Sequence, residues 1–306
     1  MNNFSDPSFL NRQSIGATVN KVIRSVFGDK VSYPVDLFEI LNMWGIPTEF
    51  IYRPQENFVA KITLTSCPKI FINTQYKKDE INLLKENKST WHRLKFSIAH
   101  ELGHYFLKTH NNPAIRERMK VNLIEPYKVN PHETNYDRII DYQANNFAAE
   151  LLMPSALMKN YLNYNNPLKK AEEISEKFDV SLTATMLRLA KLSPNIVACL
   201  QINSSSGKIE KFEFSKSFND IRYEHNPYYA LFINNGIVIP SKTASYRLLQ
   251  DNTASVQGIR NSFPIDRWFS NYCGDNILYE WPYIIGYKII TFLEIEYPKE
   301  LLELSR

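Results

Sequence analysis

Cysteine is scarce in this chain, and the sequence shows no targeting or membrane-spanning segment. Only three Cys occur in 306 residues, at positions 67, 199 and 273, and none of them forms a Cys-x-x-Cys pair. An odd number of widely spaced Cys favours free thiols in a reducing compartment. Residues 1–27 lack an apolar stretch of signal-peptide length, and no uncharged apolar run is long enough to span a bilayer. The sequence therefore predicts a cytoplasmic protein.

Net charge is also small. There are 36 Lys and Arg against 32 Asp and Glu, which leaves +4. This excess is too weak to predict a polyanionic partner. The 44% hydrophobic and 22% charged residues are ordinary for a globular protein, and 18 Tyr with 18 Phe argue against disorder. A length of 306 residues predicts two or three domains.

The most informative motif is His-Glu-Leu-Gly-His at residues 100–104, inside the apolar run 96–107. On a helix, His100 and His104 are one turn apart and point the same way, so both imidazoles can bind one Zn²⁺. Glu101 lies beside the first ligand, where it can act as a general base. A surface helix could carry these letters by chance, but a buried stripe at helical spacing accompanies them: Trp91, Leu94, Ile98, Leu102 and Tyr105. The motif predicts a zinc-dependent hydrolase of the peptidase type, on a helix capped by Ser89 or Thr90.

A catalytic zinc site needs a third protein ligand, and there are two candidates. His110 follows His104 by six residues, which is the metzincin spacing. That arrangement requires a Gly midway, whereas Leu107 favours a continuing helix that would rotate His110 by about 240° from His104. The second candidate, Asp141, is therefore preferred.

Asp141 lies on a second predicted helix, residues 137–153, which ends at Pro154. Its apolar stripe is formed by Ile140, Ala144, Phe147 and Leu151. Asn145 is one turn from Asp141, so its side chain can support a metal ligand from behind through a hydrogen bond. Gln143 points elsewhere and is a poor zinc ligand. The alternative for Asp141 is a solvated acid on the helix surface.

Two strings together resemble the ImmA/IrrE family of metallo-endopeptidases: residues 93–104, ending in Ala-His-Glu-Leu-Gly-His, and residues 141–154, ending in Phe-Ala-Ala-Glu-Leu-Leu-Met-Pro. The likeness covers roughly residues 15–195. It implies a zincin fold of the gluzincin type, with His100, His104 and Asp141 binding zinc and Glu101 as the base. The chain departs from the family pattern by having Asp141 and Gln143 where Glu is usual. Because Asp is one methylene shorter than Glu, its helix must approach more closely.

The same resemblance implies a biological role. Such enzymes cleave a transcriptional repressor or a similar regulator, which switches on a stress response or a mobile element. The alternative is a non-catalytic regulator that binds DNA or protein and keeps a degenerate metal site, since Asp141 and Gln143 depart from the family pattern.

The predicted fold class is α+β, in three parts. Residues 1–165 are the zinc peptidase domain, with helical residues 8–46, strands at 48–52, 59–64 and 69–73, a polar connection at 75–88, and a loop over the cleft at 108–136. Residues 69–73 are the predicted edge strand for a peptide substrate, although an ordinary packed strand fits equally well. His132, Tyr136 and Arg138 are candidates for the oxyanion donor, with no basis for choosing among them.

The remaining parts are residues 166–195, similar to a helix-turn-helix, and residues 196–306, a C-terminal α/β domain with a possible sensory or regulatory role. Two helices are predicted at 170–178 and 182–192. As a recognition helix, the second would present Leu182, Thr183 and Thr185 to DNA, but structural packing or substrate docking is the preferred interpretation. Strands are predicted at 196–202, 208–214, 229–239 and 284–296. We expect His225, Trp268 and Trp281 to be packing or surface residues.

Overall fold

The computed structural model describes residues 12–29, 31–107, 135–219, 233, 235–251, 255–268 and 277–296. These residues form helices and two separate sheets, which confirms the α+β class. They divide into two compact units. We call residues 1–154 with 177–181 the site unit, and residues 155–176 with 182–306 the C-terminal unit. The three-part division expected from the sequence stays a prediction.

The site unit begins with two helices, α1 (Arg12–Phe27) and α2 (Leu37–Met43). Three strands follow, β1 (Thr48–Ile51), β2 (Ala60–Thr63) and β3 (Lys69–Asn73). After a short 3-10 turn at Lys78–Glu80 come α3 (Ile81–Glu86) and α4 (Lys88–Phe106). The last long helix of this unit is α5 (Asn135–Leu152).

The helical stretch predicted at 8–46 is interrupted. Gly28, in the left-handed region at φ 65°, donates its N–H to Arg24 and ends α1. Asp36 starts α2 by accepting the N–H groups of Phe38 and Glu39. Two more local expectations were wrong: residues 81–86 of the polar connection are helical, and Asn87 rather than Ser89 or Thr90 caps α4. Gly28, Asp36 and Asn87 thus set the end of α1 and the starts of α2 and α4.

Helices α4 and α5 pack against each other, and α4 also contacts β2. The predicted stripes are confirmed except at Tyr105, which is only half-buried: Leu94, Ile98 and Leu102 on α4 are buried, as are Ala144 and Phe147 on α5. Phe106 stacks on Phe147 with ring centroids 6.0 Å apart. Gly103 and Phe106, the α4 residues that meet Ala144 and Phe147 of α5, lie outside the predicted α4 stripe.

The small sheet has the order β1-β3-β2, with β1 parallel and β2 antiparallel to β3. Residues 69–73 are thus the central strand, and their prediction as the substrate-facing edge was wrong. Ile70 and Ile72 are fully buried, which fits a strand with a neighbour on both sides. The strand next to α4 is β2. Alternation along a strand shows which residues face the core, but it does not show which strands are neighbours.

The C-terminal unit contains helices α6 (Ser155–Met158), α7 (Pro167–Phe178, whose last two residues are in the site unit) and α8 (Leu182–Leu192). Its strands are β4 (Ile196–Asn203), β5 (Ile209–Phe214), β6 (Asn261–Pro264), β7 (Ile277–Ile285) and β8 (Lys288–Glu296). Helix α9 (Ala244–Gln250) precedes β6. The sheet order is β5-β4-β8-β7-β6, and every neighbouring pair is antiparallel.

Two strand predictions in this unit were wrong in part. Residues 284–296 form not one strand but the end of β7, a turn at Gly286 and Tyr287, and β8. Gly286 has φ 62°, a conformation that permits the tight hairpin. Most of the strand predicted at 229–239 lies outside the described residues. Its described end contains a turn and an isolated bridge from Val238 to Lys208.

Helix α8 packs against β4 and β5 within the C-terminal unit. Thr185 is fully buried and Arg188 is 6% exposed. Lys191 is paired with Glu213 at 3.0 Å. A side chain that reaches a base edge must be accessible, so the burial of Thr185 argues against the recognition-helix alternative, and structural packing or substrate docking stays the preferred interpretation. No helix among the described residues has the length and apolarity needed to cross a bilayer.

Candidate metal centre

The two His of the motif lie on the face of α4 that borders α5. Their Nε2 atoms are 3.0 Å apart, and their ring centroids are separated by 4.6 Å. His104 is nearly enclosed, with 5% exposure, because the last turns of α4 are covered by α5. The spacing of one helical turn therefore brings both imidazoles to one point, as the sequence predicts.

Asp141 extends from α5 toward the same point. Its Oδ1 lies 3.6 Å from His104 Nε2, and the ligand atoms of His100, His104 and Asp141 all lie within 4.8 Å of one another. Tetrahedral zinc with bonds of about 2.0–2.2 Å separates neighbouring ligand atoms by roughly 3.4 Å. The separations of 3.0 and 3.6 Å lie on either side of that value. Two imidazoles and one carboxylate are also a donor set that zinc prefers, so the residues fit this ion.

A close approach of the two helices explains how the short Asp141 side chain reaches the His pair. A Cβ on Gly103 would lie 3.0 Å from Ala144 Cα, 3.1 Å from Ala144 O and 3.2 Å from Phe147 Cβ. The first two contacts are with backbone atoms, which cannot rotate away. Gly103 therefore lets α4 and α5 pack more closely than any larger residue would, and this compensates for the missing methylene of Asp141.

Asn145 holds the other nitrogen of His100. Its Oδ1 lies 2.9 Å from His100 Nδ1. Because an amide oxygen only accepts hydrogen bonds, Nδ1 carries the proton in this contact and Nε2 presents its lone pair to the centre. Burial lowers the pKa of His100, and the hydrogen bond with Asn145 opposes this only in part. The net effect is a lowered pKa, which favours the neutral ring, the form that binds a metal ion.

Glu101 faces away from α5, toward the sheet. Its Oε2 accepts the backbone N–H of Ile62 on β2 at 3.0 Å. Burial raises the pKa of Glu101 to about 8, the Ile62 N–H opposes this, and the Asp141 carboxylate adds to it. A cation at the three donor atoms would lower that pKa, because positive charge stabilises the carboxylate. The carboxyl group is thus a base whose proton affinity depends on what occupies the centre.

Several residues predicted for the site cannot be placed in it, because they or their side chains lie outside the described part of the chain. His110 and His132 lie outside the described residues, as does most of the predicted loop at 108–136, and the side chains of Tyr136 and Arg138 on α5 are not described. Gln143 is buried. Sequence reasoning missed Ile62 and Gly103. No pattern identifies Ile62, since its contribution is a backbone N–H, whereas a Gly inside a helix that borders another helix was a usable signal.

Residues 81–190 match the model of the Peptidase_M78 family, described as the IrrE N-terminal-like domain. The chain carries a Peptidase_M78 domain. This confirms the resemblance to the ImmA/IrrE family that the two motif strings indicate. The matched range contains α4 and α5, and with them every residue of the candidate centre.

The Peptidase_M78 domain covers little more than a third of the chain. A likeness to a solved structure extends over most of it. The solved structure of a Mycobacterium tuberculosis transcriptional regulator is similar, with a TM-score of 0.51 and 9% identity over 92% of this chain and 86% of that chain. At this identity the likeness concerns the fold alone. No curated protein matches the chain in sequence. The ligand and base roles within the Peptidase_M78 domain stay predictions.

Proposed function

We propose that this chain is a zinc-dependent endopeptidase whose metal ligands are His100, His104 and Asp141 and whose general base is Glu101. The convergence of three donor atoms within 4.8 Å of one another supports this proposal most directly. The Asp141 side chain is 61% exposed, whereas that of His104 is only 6% exposed. As far as the described residues define it, the centre therefore opens on one side. Catalytic zinc sites keep one open coordination position for water or substrate.

The residues around the candidate metal centre have different roles in the proposed reaction. When bound, zinc would supply a Lewis acid that polarises the scissile carbonyl and lowers the pKa of water toward about 7. The Ile62 N–H fixes Glu101 Oε2, and among the described residues Oε1 has no donor. Oε1 can therefore take a proton from the attacking water and pass it to the leaving amine. Asn145 keeps the His100 ring in its binding orientation.

The substrate is a protein in this proposal. The ImmA/IrrE resemblance implies a transcriptional regulator, such as a repressor, that is cleaved in the cytoplasm during a stress response or the switch of a mobile element. The outer edge of β2 lies beside Glu101 and can pair with an extended peptide, main chain to main chain. A regulatory role is proposed for the C-terminal domain.

Substitution of Glu101 tests the proposal. Glu101→Gln preserves the size and the Ile62 contact, so we expect zinc and the unfolding midpoint to be retained. Loss of the base should lower cleavage at least about 100-fold. His100→Ala should lose zinc, and Glu86→Gln on exposed α3 should leave zinc and cleavage unchanged. Metal content is measured by mass spectrometry. Comparative proteomics of cells with wild-type or Glu101→Gln protein then identifies the substrate. Processing by Glu101→Gln at the wild-type rate would contradict the mechanism.

A non-catalytic regulator that binds DNA or protein is the alternative. The fold similarity to a transcriptional regulator favours it, while the burial of Thr185 and Arg188 on α8 disfavours DNA recognition by that helix. Stoichiometric zinc that is lost in His100→Ala supports the enzyme. Salt-sensitive DNA binding that does not depend on metal supports the regulator.

A further inference from the structure

A cavity of about 480 Å³ lies in the site unit, where α4 begins and β2 begins. The residues of its lining that matter here are Phe58, Val59, Tyr76, Thr90 and Arg93. They supply a guanidinium, two hydroxyls and two apolar side chains, a combination that suits a side chain with an apolar stem and a polar head. None of the candidate metal ligands lines this cavity.

Arg93 is the basic residue of the cavity lining. Glu56 also lines the cavity, but its carboxylate is engaged by Arg53 at 2.9 Å. Arg93 is exposed and, among the described residues, forms no hydrogen bond or ion pair. A guanidinium with five unused donors at the wall of a cavity is complementary to a carboxylate, which it can bind through two parallel hydrogen bonds.

The cavity is aligned with the candidate centre along two elements. Arg93 precedes His100 by seven residues on α4, so both lie on nearly the same face and about 10 Å apart along the axis. Val59 immediately precedes β2 and lies three residues before Ile62, whose N–H on the outer edge of β2 contacts Glu101. The strand and the helix therefore run side by side from the cavity to the base. An extended peptide rises about 3.3 Å per residue, so three residues span this distance.

We propose that this cavity is a specificity subsite that binds an acidic side chain of the substrate about three residues from the scissile bond, with Arg93 as the residue that recognises it. The inference rests on the proposed peptidase function. The substrate segment lies extended along the outer edge of β2, and its Asp or Glu side chain enters the cavity. The neutral hydroxyls of Tyr76 and Thr90 give the carboxylate further donors without adding charge.

The test uses alanine-rich peptides that differ only in one Glu, Gln or Lys placed at successive positions. Binding is measured by fluorescence polarisation with the zinc-loaded Glu101→Gln protein, which traps intact peptide. We expect one register in which Glu binds roughly tenfold tighter than Gln, as for a charge-assisted hydrogen-bonded pair. Arg93→Gln should abolish that preference, and Arg93→Glu should transfer it to Lys. Lys78→Gln, the same charge change at an exposed residue outside the cavity, should preserve it.

Cleavage of the same peptides by wild-type protein tests the subsite and the peptidase function separately. Cleavage should occur about three residues from the preferred Glu. If an acidic preference depends on Arg93 but no peptide is cleaved, the subsite stands and the peptidase function fails. If peptides are cleaved without an acidic preference, or if the preference survives Arg93→Gln, the subsite is overturned and the peptidase function stands. The absence of any peptide binding also overturns the subsite.

Discussion

Each of the two units has a structural carboxylate with four hydrogen-bond donors, and the two are held in different ways: Asp179 is only half-buried, whereas Glu280 is fully buried. In the site unit, Asp179 accepts hydrogen bonds from Lys95 at 2.6 Å, Lys88 at 3.0 Å, His92 at 3.1 Å and Trp91 at 2.9 Å. Burial alone would raise the pKa of Asp179, but these hydrogen bonds outweigh it and hold the pKa well below its usual range. This carboxylate is ionised and joins the turn after α7 to the first turns of α4.

In the C-terminal unit, Glu280 on β7 is fully buried and has only neutral donors. It accepts the N–H groups of Ala244 at 3.0 Å and Ser245 at 2.7 Å, the Ser245 hydroxyl, and Trp268 Nε1 at 3.2 Å. Burial raises the pKa of Glu280, and the hydrogen bonds oppose this only partly. Two differences thus act together: Glu280 is buried more deeply than Asp179, and it lacks the Lys partners that stabilise the charged form of Asp179.

Glu101 differs from both. Asp179 and Glu280 each have four donor groups, whereas Glu101 has one among the described residues, the Ile62 N–H. A saturated carboxylate stabilises the fold, and an unsaturated one retains capacity for a proton or a water molecule. The number of hydrogen-bond donors therefore distinguishes the structural acids Asp179 and Glu280 from the candidate base Glu101.

Glu280→Ala should have the largest effect on stability. It leaves three buried N–H donors without an acceptor, among them the first two N–H groups of α9, and we expect a loss of about 4 kcal/mol in the free energy of unfolding. Chemical denaturation monitored by Trp fluorescence measures it. Glu176→Ala on exposed α7 serves as the control and should change stability by less than about 0.5 kcal/mol. A small effect of Glu280→Ala would show that its hydrogen bonds are replaceable by water.

Asp179→Ala should cost about 3 kcal/mol in the free energy of unfolding, because Lys95, only 4% exposed, would lose its carboxylate partner and keep only the backbone carbonyl of residue 179. Asp179 also has φ 49°, a conformation that Ala adopts with strain. Asp179→Asn tolerates this φ but lacks the charge, so it should lie between wild type and Asp179→Ala. Equal stability of the Asp179→Asn variant and the wild type would show that Asp179 stabilises the fold through its backbone conformation and not through its charge.

The contributions of Asp179 and Glu280 to the free energy of unfolding should change with pH in opposite directions. Because the pKa of Asp179 is lowered on folding, its contribution is present above its ordinary pKa of 3.8 and is lost as pH falls below it. The pKa of Glu280 is raised, so its contribution falls as pH rises through and above 4.5. Unfolding followed from acid to neutral pH should show a shallower acid limb for Asp179→Asn than for wild type. An unchanged acid limb would remove Asp179 from the explanation.

The smallest expected effect concerns the helix contact at the metal centre. Gly103→Ala should separate α4 from α5 and weaken zinc binding roughly tenfold, since Asp141 can no longer reach. Asp141→Glu should restore affinity in the Gly103→Ala background, because the longer side chain spans the wider gap. Competition with a zinc chelator measures both. Gly16→Ala on α1 is the matched control, since its Cβ meets nothing within 4 Å. Absence of rescue would mean that Gly103 acts through stability alone.

The helices of the centre were predictable because their signals are local. The stripes on α4 and α5 and the spacing of His100 and His104 repeat with the period of one helix, and Pro154 lies just beyond the end of α5. Capping was less predictable: three polar residues at the start of α4 could each have capped it, and backbone geometry selected Asn87. The prediction that β3 is an edge strand was wrong, because buried and exposed side chains alternate in the same way in edge and central strands.

The sequence by itself determined that two imidazoles share one helical face, that Glu101 lies beside them, and which apolar faces of α4 and α5 are buried. These relations span at most a few helical turns, and helix geometry alone sets them. Only the tertiary structure decided that Asp141 meets the pair, that Gly103 permits this approach, and that β2 supplies the N–H for Glu101. Those contacts join residues dozens of positions apart, so they depend on the packing of whole elements.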